Sequence, residues 1–128
     1  MDAQVVDANS IVGVWKSPDN SYMIKIDKIG DQFQGRIVWL AESEGQQILL
    51  DKHNPNDQLR KLPLKGNKII KDLTFNNQNH IWDGGKFYNY KEGKTYSCQI
   101  SLQSSDRIQI IRFTENQQAG KTETWVRQ

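Results

Sequence analysis

Asp51, His53, Asn54 and Asp57 lie within the seven residues "DKHNPND". An imidazole among carboxylates is the raw material of a general base or a metal site, so a hydrolase-type enzyme working from this stretch is one reading. An Asn-Pro turn accounts for the same residues more simply, because Asn and Asp side chains beside Pro hydrogen-bond their own backbone. On that account Asp51, Asn54 and Pro55 build a turn, and no residue is assigned a catalytic or metal-binding role. His80 follows "NNQN" and reads as a surface residue at a turn. Cys98 is the single cysteine, which leaves no intrachain disulfide and no thiol metal cluster, and its place on an apolar parity suits a small buried hydrophobe. No Ser/His/Asp nucleophile signature and no glycine-rich phosphate loop is present, and no cofactor is expected.

Arg112 carries a different chemistry. It continues the parity of Ile108 and Ile110. If it points inward with them, its guanidinium needs an anion, which a ligand carboxylate or phosphate would supply. If the strand twists outward there, or if Ile111 and Phe113 are the inward set, it is a surface residue. Tyr22, Trp39, Trp82, Tyr88 and Tyr96 are the aromatic stock that would accompany it. Singly each is a packing residue, and together they make an apolar wall with polar tips.

These residues must be positioned by strands. "SYMIKIDKI" places Tyr22, Ile24 and Ile26 on one face and Lys25 and Asp27 on the other, a period of two, and "FQGRIVWL" continues it after "GDQ" with Phe33, Ile37 and Trp39 on one parity. "NKIIKDLTF", "HIWDGGKFYNY", "KTYSCQISL", "DRIQIIRFT" and "GKTETWVRQ" follow between turn signals, and "IVGVWKS" precedes them. That is about eight strands and no sustained helical period. In "YKEGK" a three-residue loop with Gly93 left-handed would set Tyr88 opposite Tyr96, and Gly84 and Gly85 suit a bulge. Residues 41–65 break the pattern and read as one long loop, with a short helix in "NDQLRKL" stopped by Pro63 and positioned to cover the mouth of a barrel.

The chain has 128 residues, enough for one core, with 36% hydrophobic and 25% charged residues, so it reads as a flexible tail over residues 1–10 and a β-barrel domain over 11–128. With 17 Lys and Arg against 15 acids and the signs interspersed, a nucleic acid partner is not expected. No apolar run approaches the roughly 18 residues of a membrane-spanning helix. "MDAQVVDANS" lacks the basic and apolar regions of a leader, which fits a cytoplasmic protein or a chain whose leader has been removed.

"GVW" opens the first strand and "TWVRQ" ends the last. The pair resembles the lipocalin arrangement, in which a Gly-x-Trp packs against a basic residue from the end of the barrel. By that resemblance Gly13, Trp15 and Arg127 form a closure, with Arg127 lying across the Trp15 indole. "GVWKSPD", "GRIVWL", "DKHNPNDQLRKLPLKG", "WDGGKFYNYKEGKTY" and "TETWVR", in this order, closely resemble the bacterial family known as domain of unknown function 2147. The resemblance covers nearly all of residues 11–127, and it implies a small calycin-like barrel that is usually exported. The chain departs from that pattern at Tyr90, where a Pro is expected, and at Arg112, where a Gly is expected.

The combined expectation is an all-β, single antiparallel up-and-down barrel of lipocalin or calycin type. Its leading function is non-enzymatic binding of a small, partly hydrophobic molecule, fatty-acid-like, in the periplasm or outside the cell. Tyr22, Trp39, Trp82, Tyr88 and Tyr96 would line the pocket and Arg112 would meet an anionic head. The alternatives are a filled-barrel structural or interaction module of the cell envelope, and the enzyme of the Asp51, His53 and Asp57 loop.

Overall fold

The computed structural model describes residues 6–43, 47–116 and 118–128. They form strands β1 (Gly13–Lys16), β2 (Tyr22–Ile29), β3 (Gln32–Leu40), β4 (Lys68–Asn76), β5 (Ile81–Asn89), β6 (Lys94–Ser104), β7 (Arg107–Phe113) and β8 (Ala119–Arg127). Each strand pairs antiparallel with the next, and β8 returns to β1 through Trp15↔Arg127 and Lys16↔Val126, so the sheet closes into an eight-stranded barrel. Closure removes the free edges that an open sheet would leave unpaired. The period of two puts Ile24, Ile26, Ile37, Ile100, Ile108 and Ile110 inside, all fully buried around Trp15, Trp82 and Trp125.

Two irregularities decide which aromatic residues face inward. In β3, Met23 pairs with Trp39 but Ile24 pairs with Ile37, so Val38 is an extra residue and the parity beyond it flips. Leu40 is buried as a result, and Trp39 turns outward beneath Lys16, whose ammonium stands 5.2 Å from its ring. In β5, Trp82 pairs with Ile100 and Gly85 with Cys98, with Gly84 at φ 73° taking the extra position of the expected bulge. Phe87 therefore faces the core and Tyr88 the outside.

The β5–β6 connection has four residues, not three. Asn89 accepts from the backbone N–H of Lys91 through its side chain and from that of Gly93 through its carbonyl, which carries the turn one residue further. Tyr88 consequently pairs with Thr95, and Phe87 with Tyr96. Gly93 is left-handed as expected, at φ 73°, and a side chain there would collide with the His53 carbonyl of the long loop.

One end of the barrel is closed by the N-terminal segment. Residues 1–5 of the expected tail lie outside the described residues, whereas Ala8–Ile11 form a turn of 3-10 helix capped reciprocally by Asp7 and Ser10. Its carbonyls are the acceptors for the base of the barrel. The Trp15 indole N–H donates to Ile11 (2.9 Å) and that of Trp82 to Ala8 (3.0 Å). Arg127 lies 4.3 Å above the Trp15 ring, donating to Val12 (2.9 Å) and Ser10 (2.7 Å).

Cys98 sits inside, and burial pushes its thiol up from an ordinary 9.0 to about 12. A thiol reagent at mildly alkaline pH is expected to leave native protein unmodified and to label it once urea unfolds it, as read by mass. The shift also carries a sign: a raised native value means the thiol's contribution to stability is intact below about pH 9 and lost as pH climbs towards about 12.

Candidate functional site at the open end

The other end of the barrel is ringed by the connections 17–21 and 90–93 and by the described residues 41–43, 47–67, 114–116 and 118. Inside that ring Tyr22 is buried, packed edge-on against Tyr90 (5.1 Å between ring centres) and against Trp125 (5.2 Å), and Trp125 in turn meets Phe87 (6.5 Å). Burial, with the Glu123 charge behind it, raises the Tyr22 phenol above its ordinary range, so it stays neutral. The indole N–H of Trp125 is buried and has no acceptor among the described residues.

Arg112 reaches the same place from β7. It is only 6% exposed, and its guanidinium is sandwiched between the rings of Phe87 (5.3 Å) and Tyr96 (5.1 Å). Its nearest anions are Glu123 at 3.5 Å and Glu92 at 3.8 Å, both longer than a good charge-assisted hydrogen bond. Its Nε has no partner among the described residues. Such a group normally finds strong acceptors, since a buried guanidinium with five N–H donors is costly to leave unpaired.

The Tyr90–Gly93 turn folds over this cluster and is tied down on both sides. Lys91 donates to Asp19 (2.6 Å) and Ser21 (2.9 Å) across the mouth, while Glu92 accepts from Asn89 (2.8 Å) and Tyr96 (3.1 Å) beside Arg112. Burial alone would raise the Asp19 carboxyl, but hydrogen bonds from Lys91, Ser21 and Ser17 outweigh it and hold the group well below the usual carboxylate range. A cleft opens on either side of the turn. One, of about 590 Å³, runs under the long loop past Leu40, Leu49, Leu64 and Tyr90. The other, of about 480 Å³, is lined by Glu92, Tyr96, Arg112, Thr114 and Lys121.

Of the expected pocket lining, Tyr22, Tyr96 and Arg112 meet at the open end. Trp82 faces inward but lies at the closed end, bonded to Ala8, and Trp39 and Tyr88 face outward for the bulge reasons above. Tyr88 donates to Asp51 (2.7 Å), fastening the long loop to the outer face of the barrel. The reading that missed most was of "KTETWVRQ" and "YNYKEG". The alternation of Glu123 and Trp125 in the first signals an inward pair, and Tyr90 in the second is the turn residue that caps Tyr22.

The Asp51 carboxylate is buried and engaged by Tyr88 and by Asn54 (2.8 Å), so it serves the turn. His53 and Asp57 are exposed, and no hydrogen bond or ion pair joins the three among the described residues. The short helix of the loop is the 3-10 turn Leu59–Lys61, and His80 is an exposed turn residue at φ 56°. No group of three or more His, Cys, Asp or Glu among the described residues is placed to hold a metal ion, and no helix is long and apolar enough to cross a membrane.

No curated protein matches the chain. Among solved structures it is similar to protein HP1028 from the human pathogen Helicobacter pylori, described as belonging to the lipocalin family, with 24% identity, a TM-score of 0.81, and coverage of 97% of this chain and 84% of that one. That likeness concerns the fold alone. The model of the uncharacterized proteins conserved in bacteria, DUF2147, matches residues 13–127, and the chain belongs to that family.

Proposed function

We propose that the protein binds, without chemical conversion, a small, partly hydrophobic anion of fatty-acid type at the open end of the barrel, in the cell envelope or outside the cell. The observation that carries this reading is Arg112: a buried guanidinium, flanked by aromatic rings, whose Nε is unpaired among the described residues and whose nearest carboxylates there stand at 3.5 and 3.8 Å. A ligand carboxylate would give it the bidentate partner the protein does not, and the rings of Tyr22, Tyr90 and Tyr96 would take the adjoining apolar part. The deeper interior is occupied by Trp15, Trp82, Phe33 and Phe87, all at most 1% exposed, so the ligand belongs at the mouth and not along the barrel axis. That same filling favours a second reading, a structural or interaction module of the cell envelope that holds no small molecule.

Mass spectrometry of an organic extract of the purified protein, with decanoic acid titrated into extracted protein while tryptophan emission is followed, separates the two. The binding reading expects an acidic amphiphile in the extract and a saturable emission change. No extracted small molecule and no response to decanoate would reject it in favour of the module.

A further inference from the structure

The signs of charge are interspersed along the chain as a whole, but not over residues 52–71. That stretch holds Lys52, Arg60, Lys61, Lys65, Lys68 and Lys71 against the single acid Asp57, so a chain of net charge +2 carries +5 there and −3 elsewhere. All six cations are exposed, and none is in an ion pair among the described residues. The same loop carries most of the large apolar side chains left in solvent: Ile48 (75% exposed), Leu62 (51%), Leu50 (44%) and Leu59 (40%). These are not the frayed ends of a mobile segment. Leu50 pairs with Pro63, the Asp51 N–H donates to Leu62, and Asp51 is locked to Tyr88, so the leucines are held outward by a built ribbon.

We infer that this loop docks the protein on an anionic lipid surface, its lysines against the headgroups and its exposed leucines and isoleucine in the interfacial layer. Apolar insertion and a polybasic patch are each too weak for stable attachment to a bilayer, and the two together suffice. A nucleic acid would also meet the cations, but it would gain nothing from aliphatic side chains, and residues 47–66 hold no Phe, Tyr or Trp to make a stacking platform for bases, His53 being the single ring there. The surface flanks the cleft past Leu49 and Tyr90, so docking would bring the open end of the barrel near the lipid.

Co-sedimentation of the full chain with vesicles of phosphatidylglycerol and phosphatidylcholine, against vesicles of phosphatidylcholine alone, tests this. Binding is expected only to the anionic vesicles and is released by high salt. Each lysine near an anionic surface is worth about fivefold in partition, so K61E/K65E is expected to weaken binding by at least roughly 25-fold. L59D/L62D should abolish it, and K28E, near the end of β2 at the closed end, should not change it. Tryptophan emission of each variant confirms that it is folded. Equal binding to neutral vesicles, binding to neither kind, or an L59D/L62D variant that binds as well as the parent would overturn the inference, the last marking a plain polyanion site.

Discussion

Replacing Arg127 with alanine is expected to lower stability by about 3 kcal/mol and the Tm by roughly 10 °C, although the residue is the last but one in the chain. The guanidinium donates three hydrogen bonds to backbone carbonyls, of Ser105 (2.8 Å), Val12 and Ser10, and covers the Trp15 indole at 4.3 Å. It thereby ties β8, the β6–β7 turn and the N-terminal plug to one another, where β1 and β8 share only two residue pairs. Hydrogen bonds to a charged group contribute about 1.5–3 kcal/mol each and the ring contact about 0.5–2, and partial exposure brings the sum down towards the figure given. Lysine at this position keeps the charge but has no planar fork to span three acceptors, so Arg127→Lys should recover little.

Gly13→Ala should fail for the complementary reason. Gly13 adopts φ 143°, and a Cβ there would stand 2.5 Å from the Arg127 guanidinium, so the side chain must leave its seat over Trp15. In the Arg127→Ala background the collision is gone and only the backbone strain remains, so the two substitutions together should cost clearly less than the sum of each alone. Urea denaturation of the four proteins of that cycle decides it. A stability loss below about 1 kcal/mol for Arg127→Ala, or strict additivity, would show that the clasp is ornamental.

The clasp was legible through the lipocalin resemblance, because the parts that carry it are local patterns: a Gly, a spacer and a Trp near one terminus, a basic residue near the other. The strands were legible for the same reason, since a period of two over Tyr22 to Ile26 or Tyr96 to Leu102 survives without knowing what it packs against. What was not legible is where the period breaks. Val38 is an unremarkable residue in "GRIVWL", yet as an extra residue in β3 it sends Trp39 outward and Leu40 inward. A bulge is a compromise between two strands' registers, and one strand's sequence does not contain it. The bulge at Gly84 was foreseeable from its glycines, but its effect on Tyr88 depended on the length of the next turn, set by the hydrogen bonds that Asn89 accepts. The long loop misled differently. Asp51, His53 and Asp57 have the types of a chemical site, but the tertiary contact with Tyr88 spends the one buried carboxylate on fastening a loop.

Arg112→Met is expected to separate stability from binding. Removing a buried guanidinium that makes no hydrogen bond among the described residues, and filling its place beside Phe87 and Tyr96 with an apolar side chain, should leave stability unchanged or raise it by about 1–2 kcal/mol, because Glu92 is exposed and Glu123 keeps Lys121, so neither is left as a buried unpaired charge. The same substitution should weaken decanoate binding by roughly 10- to 100-fold, the worth of a charge-assisted bidentate contact in a desolvated site. Arg112→Lys should fall between, keeping the charge without the fork. Glu92→Gln should move affinity the other way. Glu92 stands 3.8 Å from the guanidinium on the exposed rim of the cleft, where it is the anion an incoming carboxylate must displace, and neutralising it should tighten binding severalfold at low ionic strength. Thermal melts and isothermal titration on the same four proteins give both readouts. Had Arg112 a purely structural role, its replacement by methionine would cost stability and leave decanoate binding where it was. A stabilised variant that no longer binds would show instead that the buried charge is retained for a ligand, at a place in the barrel where packing alone would have chosen an apolar residue.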